Sequence, residues 1–147
     1  MLIIVMGVSG SGKTTIGKQL AKKLELPYYD ADDFHPQTNI NKMKNGVPLN
    51  DNDRKPWLLS LVKELAIWEQ DNGAVLACSA LKEVYRVILM SQSKNIKWVY
   101  LSGTFNTIKS RMESRAGHFM KSDLLQSQFD TLEVPNYGLH LSIEKTP

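Results

Sequence analysis

A short stretch near the start of the chain, Gly7 to Thr15 (GVSGSGKTT), combines glycines, hydroxyls and a lysine at a spacing suited to binding a polyphosphate. The stretch matches G-x-x-x-x-G-K-[ST], the P-loop pattern, in full. A polyphosphate needs many N–H donors at short range, and glycine lets the backbone wrap that tightly. We therefore predict that this loop binds ATP or a relative. The predicted nucleotide-binding residues are Gly7, Val8, Ser9, Gly10, Ser11, Gly12, Lys13, Thr14 and Thr15.

Two side chains of this loop have predicted roles of their own. Lys13 would neutralise the outer phosphates, and the Thr14 hydroxyl would ligate Mg²⁺. Downstream, Ile16, Leu20 and Leu24 recur at helical spacing, so the loop opens a helix whose positive end points at the anion. The alternative is a Gly/Ser-rich turn that merely links a strand to a helix, and the complete spacing argues against it.

An acidic pair follows the second apolar segment, in YYDADDFHP. Alternation along an extended segment places Asp30 and Asp32 on one side, at the strand end that faces the loop, and turns Asp33 away. One of the pair can organise hydrated Mg²⁺ through water, and the other can accept the proton of an attacking hydroxyl. We assign the first role to Asp30 and the second to Asp32, with Asp33 as a third candidate. A solvated acidic turn is the alternative reading.

The elements that must position these residues are visible as apolar runs separated by helical segments. Alternating strands and helices predict an α/β fold, with a parallel sheet covered by helices on both faces and ligands beyond the carboxyl ends of the strands. The polar stretch KNGVPLNDNDRKPW is expected to be a loop over the site. The predicted buried strands are LIIVM, PYYD, AVLACS, WVYLS and LHLSI.

Length, charge and cysteine content narrow the class of protein. The 147 residues suit one domain with a substantial core. The net charge of +3 comes from scattered basic residues, which predicts no nucleic-acid or membrane surface. Cys78 is the single cysteine, so no internal disulfide is possible, and the opening apolar run leads into the loop without a cleavage-type sequence. We expect a soluble, cytoplasmic protein.

Two classes of P-loop protein lack support in the sequence. GTP-binding switches need Asn-Lys-x-Asp to read the base, and the nearest match, Asn41 to Lys44, ends in lysine. Motor and transporter ATPases end an apolar strand in an aspartate. In AVLACSAL, Cys78 and Ser79 stand at the end of the apolar strand instead. Small-metabolite kinases remain.

The chain resembles the bacterial-type gluconokinases, which use ATP to phosphorylate D-gluconate at its 6-hydroxyl in carbohydrate metabolism. The resemblance implies a nucleoside- and shikimate-kinase-like P-loop fold with a mobile lid over ATP, here roughly residues 112–130. Family members are often dimeric, so a homodimer is expected. The motifs that carry the resemblance are MGVSGSGK, DADDFHPQTNINKMKNGVPLNDNDRKPWL, CSALKEVYR, YLSGTF, SRAGHFMKSDLLQSQFDTLE and VPN.

Gluconate carries a carboxylate and a row of hydroxyls, so its pocket should contain fixed cations and polar groups. In CSALKEVYR, Ser79 follows a strand, and Lys82 and Arg86 stand at i and i+4 on one helix face. Arg54, just before Pro56, suits the first turn of a helix, where a cation opposes the dipole and indicates an anionic ligand. We take Arg86 as the first candidate for the carboxylate, with Arg54 and Lys82 next; ordinary surface charges are the alternative.

His35 has two readings, as a hydrogen-bond donor to substrate hydroxyls or as a residue at a helix start before Pro36. The resemblance favours the first. Met43 and Trp57 are interpreted as packing residues.

Arg111 and Arg115 stand at i and i+4, and Gly117 then breaks the pattern. Two arginines before a glycine hinge resemble a lid that brings positive charge onto the transferring phosphoryl group. Both are predicted to contact ATP, and Arg115 to stabilise the phosphoryl group in flight. Solvated helix charges would look the same.

Family members normally continue past the last strand into a final helix, whereas here LHLSIEKTP ends the chain. We expect this to leave an apolar strip of the sheet exposed. Two alternatives to a gluconokinase stay open: another small-molecule kinase, such as a shikimate-type enzyme, and a nucleotide-binding module without turnover.

Overall fold

The computed structural model describes residues 1–113 and 122–144. Its five strands form one parallel sheet in the order β2-β3-β1-β4-β5, so the predicted α/β fold with a parallel sheet is confirmed. The chain moves to one side of β1 for β2 and β3 and to the other for β4 and β5, which makes the end of β1 the place where a ligand cleft opens. The strands are β1 Leu2–Met6, β2 Tyr28–Asp30, β3 Ala74–Ala77, β4 Ile96–Ser102 and β5 Leu139–Ser142.

Helices connect the strands, and a short 3-10 turn, Ala31–Phe34, follows β2. None of the helices in the described part of the chain combines the length and apolar character needed to cross a membrane. The helices are α1 Lys13–Leu24, α2 Gln37–Lys44, α3 Asp51–Gln70, α4 Glu83–Leu89, α5 Phe105–Glu113 and α6 Ser122–Thr131.

Alternate residues of β1 enter two separate apolar cores, one on each face of the sheet. Ile4 packs with α3 and α4 residues such as Leu61 and Leu89. Its neighbour Val5 packs on the opposite face with Ala21 of α1. Both faces of a parallel sheet need such cover, which explains why β1 is apolar at every position.

Helix α3 begins earlier than the sequence suggests. Pro56 was expected at the helix start, with Arg54 just before it, yet the helix starts at Asp51 and Pro56 lies inside it. Asn50 and Asp53 form a capping box: the Asn50 side chain accepts from the Asp53 N–H at 2.8 Å, and Asp53 accepts from the Asn50 N–H at 3.0 Å. The expected loop over the site is therefore shorter, because the capping box turns DNDRKPW into helix.

Strand β5 differs from the expected buried strand. All four of its residues are exposed, with Leu139 at 56% and Leu141 at 37%. It pairs with β4 at the edge of the sheet. Among the described residues the principal packing partner of β5 is β4, and no helix packs extensively on either of its faces, so its side chains stay exposed.

The predicted lid, residues 112–130, is described only in part. Its ends belong to α5 and α6, and these pack in a third core with Val8 and Leu81. Arg115 and Gly117 lie outside the described residues.

Candidate active site

The phosphate-binding pattern forms a loop between β1 and α1, at the carboxyl end of the sheet. Gly10 and Gly12 adopt positive φ values, 79° and 99°. A side chain at Gly10 would lie 2.6 Å from Met112 Cγ, whereas the space around Gly12 is open. Gly10 is therefore required for its backbone and for its close approach to α5, and Gly12 for its backbone alone.

Lys13 and Ser9 are held by contacts within and beside the loop. Lys13 Nζ donates to the carbonyls of Gly7 at 2.9 Å and Val8 at 3.1 Å. The Ser9 N–H donates to Gln128 Oε1 of α6 at 2.7 Å. Helix α6 thus reaches the loop directly, which connects the second half of the chain to the predicted phosphate site.

Asp30 and Asp32 both line the cavity beside this loop, together with Lys13. The expected extended segment is wrong, because Asp30 ends β2 and Asp32 lies in the 3-10 turn. The Asp30 side chain accepts from the Asp32 N–H at 2.9 Å and so caps the turn. The buried indole of Trp57 donates to the Ala31 carbonyl at 2.7 Å and ties this acidic turn to α3.

Partial desolvation in the cavity shifts the pKa values of Asp30, Asp32 and Lys13. The attraction between Lys13 and the two carboxylates opposes these shifts. Desolvation raises the pKa of Asp32, and the nearby Lys13 ammonium limits that rise. The side chain of Asp32 is 76% exposed and contributes to the cavity lining. Desolvation also raises the pKa of Asp30, and burial lowers the pKa of Lys13 against the attraction of both carboxylates. A raised carboxyl pKa suits a proton acceptor in catalysis.

His35 lines the same cavity, and its ring stacks on Trp57 with centroids 4.4 Å apart. Its Nε2 lies 3.8 Å from Asp32 Oδ1. Burial and the Arg54 charge lower the pKa of His35 to about 4. The following Pro36 explains the extended backbone of His35 (φ −69°, ψ 139°), which separates the 3-10 turn from α2.

Arg54 of α3 lines the cavity, and a hydrogen bond holds its guanidinium in place. Its Nη1 donates to the Tyr85 hydroxyl at 3.0 Å, and its guanidinium lies 5.4 Å from the centre of that ring. The Tyr85 hydroxyl donates in turn to Asp51 Oδ1. Asp51 also accepts from Lys82 Nζ at 3.0 Å, so this network fixes one predicted cation, Arg54, at the cavity wall.

The structure does not bring Arg86 to the cavity. Arg86 is only 1% exposed. Its guanidinium donates to the carbonyls of Ala80 and Glu133, each at 2.8 Å, and to Glu83 Oε1 at 3.0 Å. The assignment of Arg86 to the substrate carboxylate therefore needs correction. The expected shared helix face does not form either, because Lys82 is the extended N-cap residue of α4, whereas Arg86 lies within the helix.

Arg86 instead supports the loop that carries Ser79, which does line the cavity. Ala80 has a φ of 43°, which side chains rarely adopt, and its carbonyl is held by Arg86. Lys82 lies at the start of α4 and does not line the cavity that contains Lys13 and Asp32. It lies in an adjoining recess, which Arg54 also lines.

The remaining predicted residues lie around the loop or beyond the described chain. Thr14 and Thr15 are exposed in the first turn of α1. Ser11, within the loop, is buried. Arg111 is exposed in the last turn of α5, where its Nη2 donates to the Ile143 carbonyl. Arg115 lies outside the described residues.

Several cavity residues were not identified from the sequence. Met43 and Trp57, interpreted as packing residues, line the cavity. The hydrogen-bonding pattern of Trp57 had no signal in the sequence, because it depends on a carbonyl that tertiary packing brings near. Val47, Pro48 and Leu49 come from the stretch expected over the site, and Ser127 and Gln128 from the predicted lid, but none was predicted individually. The other lining residues not predicted individually are Ala77, Cys78 and Leu81.

The oxygen donors near the loop fit a magnesium ion held largely by phosphate and water. Within residues 1–113 and 122–144, no group of three or more His, Cys, Asp and Glu side chains could hold a metal alone. Thr14 offers an exposed hydroxyl, and Asp30 a carboxylate at the cavity wall. Mg²⁺ prefers such hard oxygen ligands, and it usually keeps several waters when it binds with a nucleotide.

Comparison with known proteins places this chain among small-molecule kinases. A family model described as shikimate kinase matches residues 9–137. The chain is 47% identical to a probable gluconokinase of Xenopus tropicalis, over 92% of this chain and 80% of that protein. It is 43% identical to the thermoresistant gluconokinase of Escherichia coli K12, over 91% of this chain and 77% of the relative.

Solved structures agree with this similarity. A gluconokinase from Sinorhizobium meliloti 1021 matches with a TM-score of 0.91 at 40% identity, over 99% of this chain and 83% of that one. The shikimate kinase of Aquifex aeolicus, with a TM-score of 0.62 at 19% identity, shares the fold.

Proposed function

Because this chain belongs to the gluconokinase family of P-loop kinases, we propose that it transfers the terminal phosphoryl group of ATP to the 6-hydroxyl of D-gluconate. The observation that carries the proposal is one cavity that combines Lys13 of the phosphate loop, the Asp30 and Asp32 carboxylates and the anchored cation Arg54. A phosphate site, a base and a carboxylate-binding cation are the parts this reaction needs.

Each part has a proposed role in the transfer. The loop amides and Lys13 hold the β- and γ-phosphates of ATP, and Thr14 and Asp30 hold Mg²⁺, the latter through water. Magnesium, when bound, neutralises charge on the phosphates. Asp32 accepts the hydroxyl proton as the new O–P bond forms and the bond to the β-phosphate oxygen breaks, releasing ADP.

Arg54 binds the carboxylate of gluconate in this proposal, and His35 and Ser79 contact its hydroxyls. Lys82 supports Arg54 through Asp51 and Tyr85. Arg111 and Arg115 keep the proposed role of placing positive charge near ATP, and Arg115 that of stabilising the phosphoryl group. A homodimer stays part of the proposal on the strength of the resemblance alone.

The test is ADP release measured with gluconate, shikimate, glucitol and no acceptor. We expect ADP release that depends on gluconate. Lys13→Ala should lower the rate of release by a factor of about 10² or more, because the positive charge that stabilises the transferring phosphoryl group is lost. A folded Lys13→Ala variant with near wild-type turnover would refute the mechanism. Turnover with shikimate alone would assign a different acceptor, and ATP binding without turnover would indicate a nucleotide-binding module.

A further inference from the structure

The buried amide of Asn39 determines which nitrogen of His35 carries a proton. Asn39 lies in α2 and is 1% exposed. Its Nδ2 lies 2.8 Å from the Asp53 carbonyl oxygen and 3.1 Å from His35 Nδ1. A backbone carbonyl can only accept a hydrogen bond, so the Asp53 contact requires the NH₂ group of Asn39 at this position.

The second hydrogen of that NH₂ group then points at His35 Nδ1, which must accept it. An accepting Nδ1 carries no proton, so the proton of a neutral ring lies on Nε2. Nε2 is the nitrogen near the cavity, 3.8 Å from Asp32 Oδ1. A fully protonated ring would direct an Nδ1–H at the Asn39 amide hydrogens and would lose this contact.

We propose that Asn39 is a positioning residue that holds His35 as a neutral Nε2–H donor beside Asp32, which leaves Asp32 as the proton acceptor of the acidic turn. This inference rests on the proposed function for the role of Asp32. The tautomer itself follows from the contacts of Asn39 and can be measured without any substrate.

Packing and charge around His35 support the same state. The ring is fixed between Asn39 and the stacked Trp57. The charged groups that face it are Asp30 and Asp32 after β2 and Arg54 from α3. Burial lowers the pKa of His35, and the Arg54 charge lowers it further. The carboxylate of Asp30 favours a positive ring, but it is outweighed, and the pKa lies at about 4. His35 therefore offers its Nε2–H to a substrate hydroxyl and removes no proton.

The direct test is the ¹⁵N NMR spectrum of the histidine rings in the full chain, with His118→Gln and His140→Gln used for assignment. We expect His35 to show a protonated Nε2 and an unprotonated Nδ1 across roughly pH 5 to 8, where histidines usually titrate. An Nδ1–H ring, or titration near the ordinary value, would overturn the proposal.

Two variants extend the test. Asn39→Ala removes the donor and should give a mixture of both tautomers. Asn39→Asp places an acceptor at Nδ1 and should produce a protonated Nδ1 and titration at higher pH. The exposed Asn41, two positions along the same helix, supplies the matched controls Asn41→Ala and Asn41→Asp. Unchanged His35 spectra in folded Asn39 variants would refute the role of Asn39; should a variant not fold, the wild-type spectrum still decides.

Activity separates positioning from general support. In Asn39→Ala we expect kcat with gluconate to fall by about tenfold to a hundredfold, by analogy with residues that orient functional histidines, while KM for ATP stays unchanged. A normal kcat with mixed tautomers would overturn the catalytic relevance of the donor. Failure of all gluconate turnover in the wild type, with the predicted spectrum intact, would count against the proposed function instead.

Discussion

Arg54 lines the cavity with its guanidinium fixed by Tyr85, whereas the guanidinium of Arg86 is buried and donates to backbone carbonyls. The two arginines therefore have different expected phenotypes. Arg54→Ala should remove the partner of the gluconate carboxylate, at a cost of about 2–5 kcal/mol in binding, by analogy with truncated buried charge pairs. The ratio of kcat/KM for gluconate to that for glucitol should then narrow.

Arg86→Ala should leave that ratio unchanged and lower the stability. Its loss leaves the Ala80 and Glu133 carbonyls without this donor, at about 1–3 kcal/mol for each buried group left unpaired. Both acceptors and the melting temperature should be measured for both variants, with Arg54→Lys as the variant that keeps charge without the planar fork. A ratio altered by Arg86→Ala and not by Arg54→Ala would contradict the placement of the carboxylate.

Asp32 should control the acidic limb of the pH profile. Desolvation raises its pKa above the ordinary 3.8, and a base works only when deprotonated. Turnover should therefore fall as the pH drops through this raised pKa, and rise to a plateau above it. The measurement is kcat against pH at saturating gluconate and ATP.

The comparison for this profile is Asp32→Asn beside Asp33→Asn, which changes the neighbouring carboxylate outside the cavity lining. We expect low turnover without the acidic limb in the first variant and an almost normal profile in the second. An acidic limb that persists in Asp32→Asn would assign it to another group, with Asp30 the next candidate.

At the scale of elements, the start of α3 holds the site together. Its capping box fixes the helix end, Lys42 of α2 reaches Asp53 at 2.8 Å, and Asn39 donates to the Asp53 carbonyl. Arg54 and Trp57 follow within the next turn of the same helix. The cation and the indole that supports the acidic turn thus depend on one helix terminus.

We expect Asn50→Ala to lower the free energy of unfolding by about 1 kcal/mol, the usual cost of losing an N-cap side chain. A chain of this length should then melt a few degrees lower. Asn52→Ala, in the first turn but outside the capping box, is the control. The measurement is the melting temperature of both variants in thermal unfolding. Equal melting temperatures for Asn50→Ala and the wild type would show that the box contributes no stability.

At the scale of the whole molecule, the sequence predicts what depends on local pattern. The phosphate loop, the five strands and the two covered faces of the central strands follow from spacing and alternation, and they are present. The expected burial of β5 is wrong, because all four of its residues are exposed. The proximity of Lys13, Asp30 and Asp32 also follows, because parallel strands end at one edge.

The environment of a side chain could not be predicted in this way. Lys82 and Arg86 share a helical spacing, yet one pairs with Asp51 at the surface and the other is buried against Ala80 and Glu133. The helix start at Asp51 overrode the signal of Pro56, and the roles of Asn39 and Trp57 depend on carbonyls distant in sequence.

Phosphorylation of gluconate at its terminal hydroxyl is the activity proposed for this chain. The most direct measurement is ³¹P–¹H correlation NMR of the product formed from gluconate and ATP by the wild-type chain. We predict a phosphate coupled to the terminal methylene protons of gluconate, formed in equal amount with ADP. A phosphate coupled to another carbon's proton, or ADP and inorganic phosphate without a phosphorylated acid, would contradict the account.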